Sequence, residues 1–230
     1  MDGLIYDCEI IRCIPSGDTE PGLEYCKGWD DFEGMGISVI GVWDLKEDIP
    51  RVFLGDNSEE FQALVKDREH IIGFNSLAFD DNLCGANGIA VTTTYDLLCE
   101  VRAASGQPRR YTPGLTRGGY SLDALAKANL KISKSGRGDL APKLWQRGEY
   151  GAVIDYCLRD VMLTKRLFEK RDRLIDPTDG SPLRLREPEL TDDELEDLAA
   201  SGFTHMPEDD ELDPFEPALP DIYYEQFING

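Results

Sequence analysis

The sequence predicts an α/β fold in which a mixed sheet, an antiparallel meander followed by parallel strands, is flanked by helices. Apolar runs of strand length come first, and strands then alternate with amphipathic helices. After Asp176 prolines recur, and no basic side chain follows Arg186. We therefore expect a folded domain over residues 1–174 and an acidic, proline-rich tail over 175–230. Residues 191–194 (Thr-Asp-Asp-Glu) have the pattern of a capping box, which predicts one short helix in the tail.

The first half of the chain supplies most of the predicted strands. An apolar run over residues 3–11 is the first strand, and a connection rich in Gly, Pro and acidic residues leads to a second strand over 36–43. A third strand over 51–54 completes the antiparallel meander. The pattern then predicts a helix over 57–66, a strand over 71–74, a helix over 78–85, a β-branched strand over 91–95 and a helix ending near 101.

The second half is predicted to be mostly helical. Residues 106–119 are dense in Gly, Pro and Arg, which indicates a loop, and Ser121 is placed to cap a helix that ends near Leu130. A second loop over 131–138 precedes a short helix around Trp145. The last predicted element of the domain is a long amphipathic helix from Tyr150 to Leu174.

Composition and charge limit the classes of function. With 41% apolar and 30% charged residues the chain resembles a soluble globular protein, and no apolar run approaches the ~20 residues of a membrane span. The N-terminus lacks a basic region followed by an apolar one, so we expect a cytoplasmic protein. Six cysteines without a Cys-x-x-Cys pair indicate buried thiols in a reducing compartment.

The net charge of −21 argues against nucleic acid, but the charge is unevenly distributed. Residues 101–147 carry ten basic and two acidic side chains, whereas residues 187–230 carry fifteen acidic side chains and no basic one. The basic segment is therefore suited to a polyanionic ligand even though the whole chain is acidic. The acidic tail is suited to a basic partner protein.

Two acids interrupt the first predicted strand. Asp7 and Glu9 project from the same face of it, and Cys8 points the other way. Two adjacent carboxylates in an apolar strand must be hydrated, paired or bound to a cation. The strand by itself leaves two interpretations open, a hydrated edge strand and a cation site.

Two further segments place acids where apolar residues are expected. Asn75 ends a buried-looking strand, and Asp80 begins the helix after it. Tyr156 and Asp160 are four residues apart, so they share a helix face with apolar neighbours. Taken singly, Asp80 is an ordinary acid in a first helical turn, and Asp160 is an ordinary ion-pair partner. Together with the first strand, however, they give four carboxylates from three remote segments.

This set of motifs resembles the DEDD exonucleases, the DnaQ-like family that includes polymerase proofreading domains and ribonuclease D. Asp7 and Glu9 match its first motif, Asn75 and Asp80 its second, and Tyr156 and Asp160 its third. Tyrosine in the third motif indicates the tyrosine branch. The resemblance covers roughly residues 1–172 and implies a ribonuclease-H-like fold and 3′–5′ exonuclease activity on single-stranded ends.

The resemblance also implies the roles of these residues. Asp7, Glu9, Asp80 and Asp160 are expected to bind two divalent cations, Mg²⁺ or Mn²⁺, with Asp7 bridging both, and hard oxygen ligands suit these ions. Tyr156 is expected to orient the attacking water, because a phenol with a pKa near ~10 is a poor base at neutral pH. The expected catalytic residues are then Asp7, Glu9, Asp80, Tyr156 and Asp160.

The expected ligand is the 3′ end of single-stranded DNA or RNA, and no membrane is involved. Asn75 belongs to the second motif and is expected to contact the strand. Arg109 and Arg110, in the Gly/Pro loop, are the expected phosphate contacts of the basic segment. A different class of function remains open: a catalytically silent nucleic-acid-binding or scaffold protein whose acidic tail docks on a basic partner protein.

Overall fold

The structure is a computed structural model that describes residues 1–15, 17, 19–132 and 138–188. Its strands are β1 (Gly3–Ile10), β2 (Ile37–Asp44), β3 (Ile49–Phe53), β4 (His70–Gly73), β5 (Tyr95–Asp96), β6 (Leu174–Ile175) and β7 (Pro182–Leu183). Its helices are α1 (Phe32–Met35), α2 (Ser58–Lys66), α3 (Asp80–Ala86), α4 (Leu97–Ala104), α5 (Leu122–Leu130), α6 (Ala141–Gln146) and α7 (Tyr150–Glu169). A single 3₁₀ turn (Gly138–Leu140) precedes α6.

Five strands form one mixed sheet in the order β3-β2-β1-β4-β5. The pairs β1–β2 and β2–β3 are antiparallel, whereas β4 is parallel to β1 and β5 is parallel to β4. The fold class predicted from the sequence, a mixed sheet with an antiparallel meander followed by parallel strands and flanked by helices, is therefore confirmed. Strands β6 and β7 form a separate small antiparallel sheet.

Strand β1 lies at the centre of the sheet because it is apolar on both faces. On one face Ile5 belongs to a core built largely from α4, α5 and α7. On the other face Leu4 and Tyr6 pack with residues of α2 and α3, including Phe61. A strand covered on both faces by helices buries its whole apolar run, which fixes its position and its register.

Two predicted elements are much shorter in the structure. The strand predicted over 91–95 is reduced to Tyr95–Asp96, because the Thr93 amide donates to the Asp81 carboxylate, at 2.9 Å, instead of joining a ladder. The long helix ends at Glu169 rather than Leu174, and the chain then turns so that Leu174 pairs with Leu183 in the small sheet.

The folded part extends beyond the predicted domain boundary at Leu174. Leu183 and Leu185 are buried in the core, and the Tyr95 hydroxyl donates to the Arg186 carbonyl at 2.9 Å. The tail predicted over 175–230 therefore begins too early, since its first residues complete the core of the domain. The short helix predicted from Thr191 lies outside the residues that the structure describes. Within the described part of the chain, no helix has the length and apolarity to span a bilayer.

A buried ion-pair network joins β2 to the chain entering β4. Asp44, fully buried at the end of β2, accepts hydrogen bonds from Arg68 at 2.8 Å and Arg51 at 3.1 Å. Arg68 is itself only 4% exposed. Burial acts to raise the pKa of Asp44, but the hydrogen bonds from Arg68, the Glu47 amide and Arg51 outweigh it and lower the pKa.

We predict that Asp44→Asn lowers the free energy of unfolding by about 3 kcal/mol, because it removes the buried charge that pairs with the Arg68 cation. The pKa of Asp44 is lowered in the folded state, so its stabilising effect is present above the unfolded carboxyl pKa and is lost as the pH falls through the folded value. Urea unfolding of both proteins at neutral and acidic pH measures this.

Asp67→Asn is the matched control, because Asp67 also pairs with Arg68 but is 75% exposed. It should cost less than about 1 kcal/mol. Equal losses from Asp44→Asn and Asp67→Asn would contradict the assignment of stability to the buried pair.

Candidate functional site

Asp7 and Glu9 project from one face of β1, as the strand period predicts. One ligand atom from each of them lies within 4.8 Å of the other and of the Cys157 sulfur, a grouping that could hold a metal ion. Cys8 points into the opposite core, where its sulfur lies 3.7 Å from that of Cys84. The two carboxylates are thus turned toward α7, and the hydrated edge strand is excluded because β1 is the central strand.

Helix α7 brings Tyr156 and Asp160 to the same place. Asp160 is 4% exposed, and Tyr156 interacts with it and with Glu9 and Asp7. Burial raises the pKa of Tyr156, and the neighbouring carboxylates raise it further. The phenol therefore keeps its proton at neutral pH and can donate a hydrogen bond, but it cannot act as a base.

Asp80 approaches from the opposite side of β1. It is the first residue of α3, is 3% exposed, and accepts a hydrogen bond from the Cys8 amide at 2.9 Å. Burial raises the pKa of Asp80, and the adjacent Asp7 carboxylate raises it further. The four carboxylates predicted from three segments therefore lie around β1. Asp7 acts on Asp80, and Asp160 acts on Tyr156 and Cys157, whereas the described ligand atoms that lie within 4.8 Å of one another come from Asp7, Glu9 and Cys157.

A polar network next to Asp80 fixes the start of α3. The Tyr6 hydroxyl donates to Asp81, and the Thr93 hydroxyl donates to the same carboxylate at 2.8 Å and contacts the Ser76 hydroxyl at 2.9 Å. Burial raises the pKa of Asp81 to about 6. Sequence reasoning overlooked this network, although the consecutive acids Asp80 and Asp81 at a helix start were a signal that one of them points inward.

Gly41 allows α7 to approach the sheet. It is the antiparallel partner of Asp7, and a Cβ built on it would lie 2.7 Å from the Cys157 sulfur and 3.3 Å from Val161. Any larger residue would displace the helix that carries Tyr156 and Asp160. Sequence reasoning also overlooked this position, for which a glycine inside an apolar strand was the available signal.

The three residues predicted to bind substrate lie to the side of the carboxylates, beyond β4. Asn75 follows β4 with φ +63°, and its amide donates to Asp96 at 3.0 Å. Arg109 forms a two-pronged ion pair with the buried Glu100. Arg110 lies near Cys99 in the first turn of α4. Asn75 therefore follows β4, the strand next to β1, whereas Arg109 and Arg110 follow α4 and lie farther from the carboxylates along the sheet.

The donor set fits hard divalent cations. Mg²⁺ and Mn²⁺ favour carboxylate oxygens, which Asp7, Glu9, Asp80 and Asp160 can provide. Burial raises the pKa of Cys157, and its thiol donates to the Asp7 carbonyl at 3.3 Å. Because a protonated thiol is a poor ligand, the sulfur is better explained as a hydrogen-bond donor that orients Asp7.

No family model matches this chain, and no curated protein matches it. Among solved structures, the chain is similar to the family B DNA polymerase from the hyperthermophilic archaeon Pyrobaculum calidifontis. The sequences are 17% identical, with a TM-score of 0.49, and the similarity covers 87% of this chain. It spans 27% of the polymerase chain, about a quarter of its length.

We predict that Gly41→Ala destabilises the protein by about 1–3 kcal/mol, the usual cost of overpacking a core. Because the added methyl group meets Cys157, the substitution should also move α7 away from β1 and separate Tyr156 from Asp7. Urea unfolding gives the first effect, and a crystal structure of the variant gives the second. Gly55→Ala is the control, since no atom lies near a Cβ built there. A Gly41→Ala protein as stable as Gly55→Ala, with α7 in place, would contradict this account.

Proposed function

We propose that this protein is a metal-dependent 3′–5′ exonuclease that hydrolyses phosphodiester bonds at the 3′ end of single-stranded nucleic acid. The proposal includes membership of the tyrosine branch of the DEDD exonucleases. It rests on the order of the three motifs along the chain and on the way the fold groups their side chains.

One observation carries the proposal. Asp80 and Asp160 are almost fully buried, come from different helices, and both face the strand that bears Asp7 and Glu9. Burying carboxylates together is costly unless a cation neutralises them. An arrangement that is unfavourable without a ligand and favourable with divalent cations is best explained by cation binding.

The side chains then have distinct roles. Asp7 and Glu9, with Asp80 and Asp160 on either side, would hold two Mg²⁺ or Mn²⁺ ions, which supply charge neutralisation at the phosphate and activation of water. Tyr156, kept protonated by its surroundings, would donate its hydroxyl proton in a hydrogen bond that orients the attacking water. The Cys157 thiol would hold the Asp7 main chain in place from the other side.

Asn75 and the basic loop are proposed to bind the strand. Asn75 lies at the carboxyl end of β4, next to the carboxylates, where its side chain can reach the terminal nucleotide. Arg110 is proposed as a phosphate contact. Arg109 would have to exchange its pairing with Glu100 for a phosphate, so we expect Arg109 to contribute less than Arg110.

We predict that the protein shortens a 5′-labelled single-stranded oligonucleotide stepwise in Mg²⁺ or Mn²⁺ and leaves it intact in EDTA. Substitutions in the outer shell of a metal site cost about 10–100-fold, so Asp7→Asn, which removes a direct ligand, should cost at least about 100-fold in kcat. Mn²⁺ should also raise the melting temperature of the natural protein and not that of Asp7→Asn.

Asp155→Asn is the matched control for this experiment. It removes one negative charge from the same region, but Asp155 is exposed on α7. Its cleavage rate and its response to Mn²⁺ should both match the natural protein. Products are resolved at nucleotide length on both DNA and RNA. A ladder from the 5′-labelled strand supports digestion from the 3′ end, and release of the 5′ label as a single nucleotide would contradict it. Binding without cleavage in either metal would instead support the silent nucleic-acid-binding alternative.

A separate prediction concerns the tyrosine. Tyr156→Phe should lower kcat by about 100-fold, within the range for a positioned proton-transfer or water-orienting group, while KM and the Mn²⁺ melting shift stay unchanged. The reason is that the phenol contacts the attacking water and not the cations. Tyr150→Phe, on the same helix but exposed, is the control. A Tyr156→Phe enzyme with full kcat would remove the hydroxyl from the mechanism.

A further inference from the structure

A cationic corner lies beyond Asn75, where the chain leaves the end of β5. Helix α4 begins at Leu97, directly after β5, and Arg102 lies on its second turn. The loop after the helix returns so that Arg110 and Arg102 both lie close to Cys99. Two arginines from separate segments therefore lie near the same side chain, that of Cys99, at the start of α4.

Arg102 lacks a protein partner within the part of the chain that the structure describes. Its Nε is buried and donates no hydrogen bond there. Burial lowers the pKa of the Arg102 guanidinium, although the nearby Cys99 and Asp96 act to raise it. A partly desolvated cation without an acceptor is unfavourable for folding, so stability does not explain this arginine.

Asp96, which acts on Arg102, and Glu100, two residues before it on α4, are already engaged. Asp96 accepts hydrogen bonds from four backbone amides, those of Asn75, Leu77, Leu98 and Cys99. Glu100 pairs with Arg109 and lies 3.5 Å from Arg186. A carboxylate has about four acceptor positions, so Asp96 has no position left for a guanidinium. The corner therefore retains positive charge for an external anion.

The position of this corner selects the anion. β1, β4 and β5 are neighbours in the sheet, and strands lie about 4.8 Å apart, so the end of β5 is about 10 Å from the end of β1. A stacked single strand advances about 3.4 Å per nucleotide. A strand whose terminal phosphodiester lies at Asp7 would therefore reach the corner after about three nucleotides.

We propose that Arg102, with Arg110 beside it, binds a backbone phosphate about three nucleotides to the 5′ side of the bond that is cut. The inference rests on the proposed function, because only an exonuclease acting from the 3′ end places all remaining phosphates on the 5′ side. It assigns to Arg102 a role in strand binding and none in the chemical step.

The test measures binding separately from cleavage. Fluorescence anisotropy in EDTA follows a labelled single strand of about ten nucleotides, a typical single-strand site size. Arg102→Gln should weaken binding about tenfold and reduce the slope of log K against log salt by about one. Lys66→Gln is the charge-matched control. Lys66 is exposed and ends α2 four residues before β4 begins, whereas α4 follows the end of β5, so the variant should bind as the natural protein does.

A second pair of measurements separates binding from folding. Arg102→Met keeps an apolar stem, and its melting temperature should equal or exceed that of the natural protein, since replacing a desolvated ion by an apolar group is neutral or stabilising. On a substrate with one phosphodiester, thymidine 5′-(4-nitrophenyl phosphate), the kcat/KM of Arg102→Gln should be unchanged. On the longer strand its KM should rise about tenfold with kcat preserved.

The outcomes distinguish the two proposals. If the natural protein binds and digests the strand while Arg102→Gln binds equally well, the inference is overturned and the proposed function stands. If the natural protein binds without digesting, the proposed function fails, and weaker binding by Arg102→Gln still supports the phosphate site. A lowered melting temperature of Arg102→Met, or failure of the natural protein to bind any single strand, overturns the inference.

Discussion

The mutual repulsion of buried carboxylates is the constraint on which the rest of this structure depends. Asp80 and Asp160 are withdrawn from water and held near Asp7, and Asp80 responds with a raised pKa. Such a group stays together only if the surrounding fold is stable enough to offset the repulsion. The apolar packing on both faces of β1 provides that stability, because the strand bearing Asp7 lies at the centre of the sheet with a buried core on each face.

The elements that carry Asp80 and Asp160 are positioned by contacts with the rest of the fold. The Cys8 amide fixes Asp80, the network around Asp81 fixes the start of α3, and Gly41 lets α7 lie close enough for Asp160 to reach β1. These contacts join the helices to the sheet rather than the acids to one another. The site geometry is therefore set before any cation binds, which is the arrangement that precise positioning of a reacting phosphate requires.

Much of the fold, and the placement of acids on one face of a single strand or helix, could be predicted from the sequence, because both depend on local periodicity. The alternation in residues 3–11 placed Asp7 and Glu9 on one face, and the four-residue spacing placed Tyr156 beside Asp160. What depends on packing between remote segments could not be predicted in this way. The close approach at Gly41, the inward turn of Asp81 and the docking of Leu183 and Leu185 onto the core each require knowledge of the neighbouring element.

The basic segment shows why charge along the sequence is a weak guide to binding. Arg109 was the natural choice in a loop dense in Gly and Pro, yet it neutralises a buried glutamate of α4. Lys143 and Arg147 pair with Glu20 across the surface, so their charge is offset too. Arg102 lies on a helix among apolar residues, a position typical of a residue that serves stability. Its buried Nε, however, has no hydrogen-bond acceptor among the described residues. In the function proposed above, such a cation would bind the strand at a distance from the carboxylates, whose negative charge would otherwise repel a polyanion.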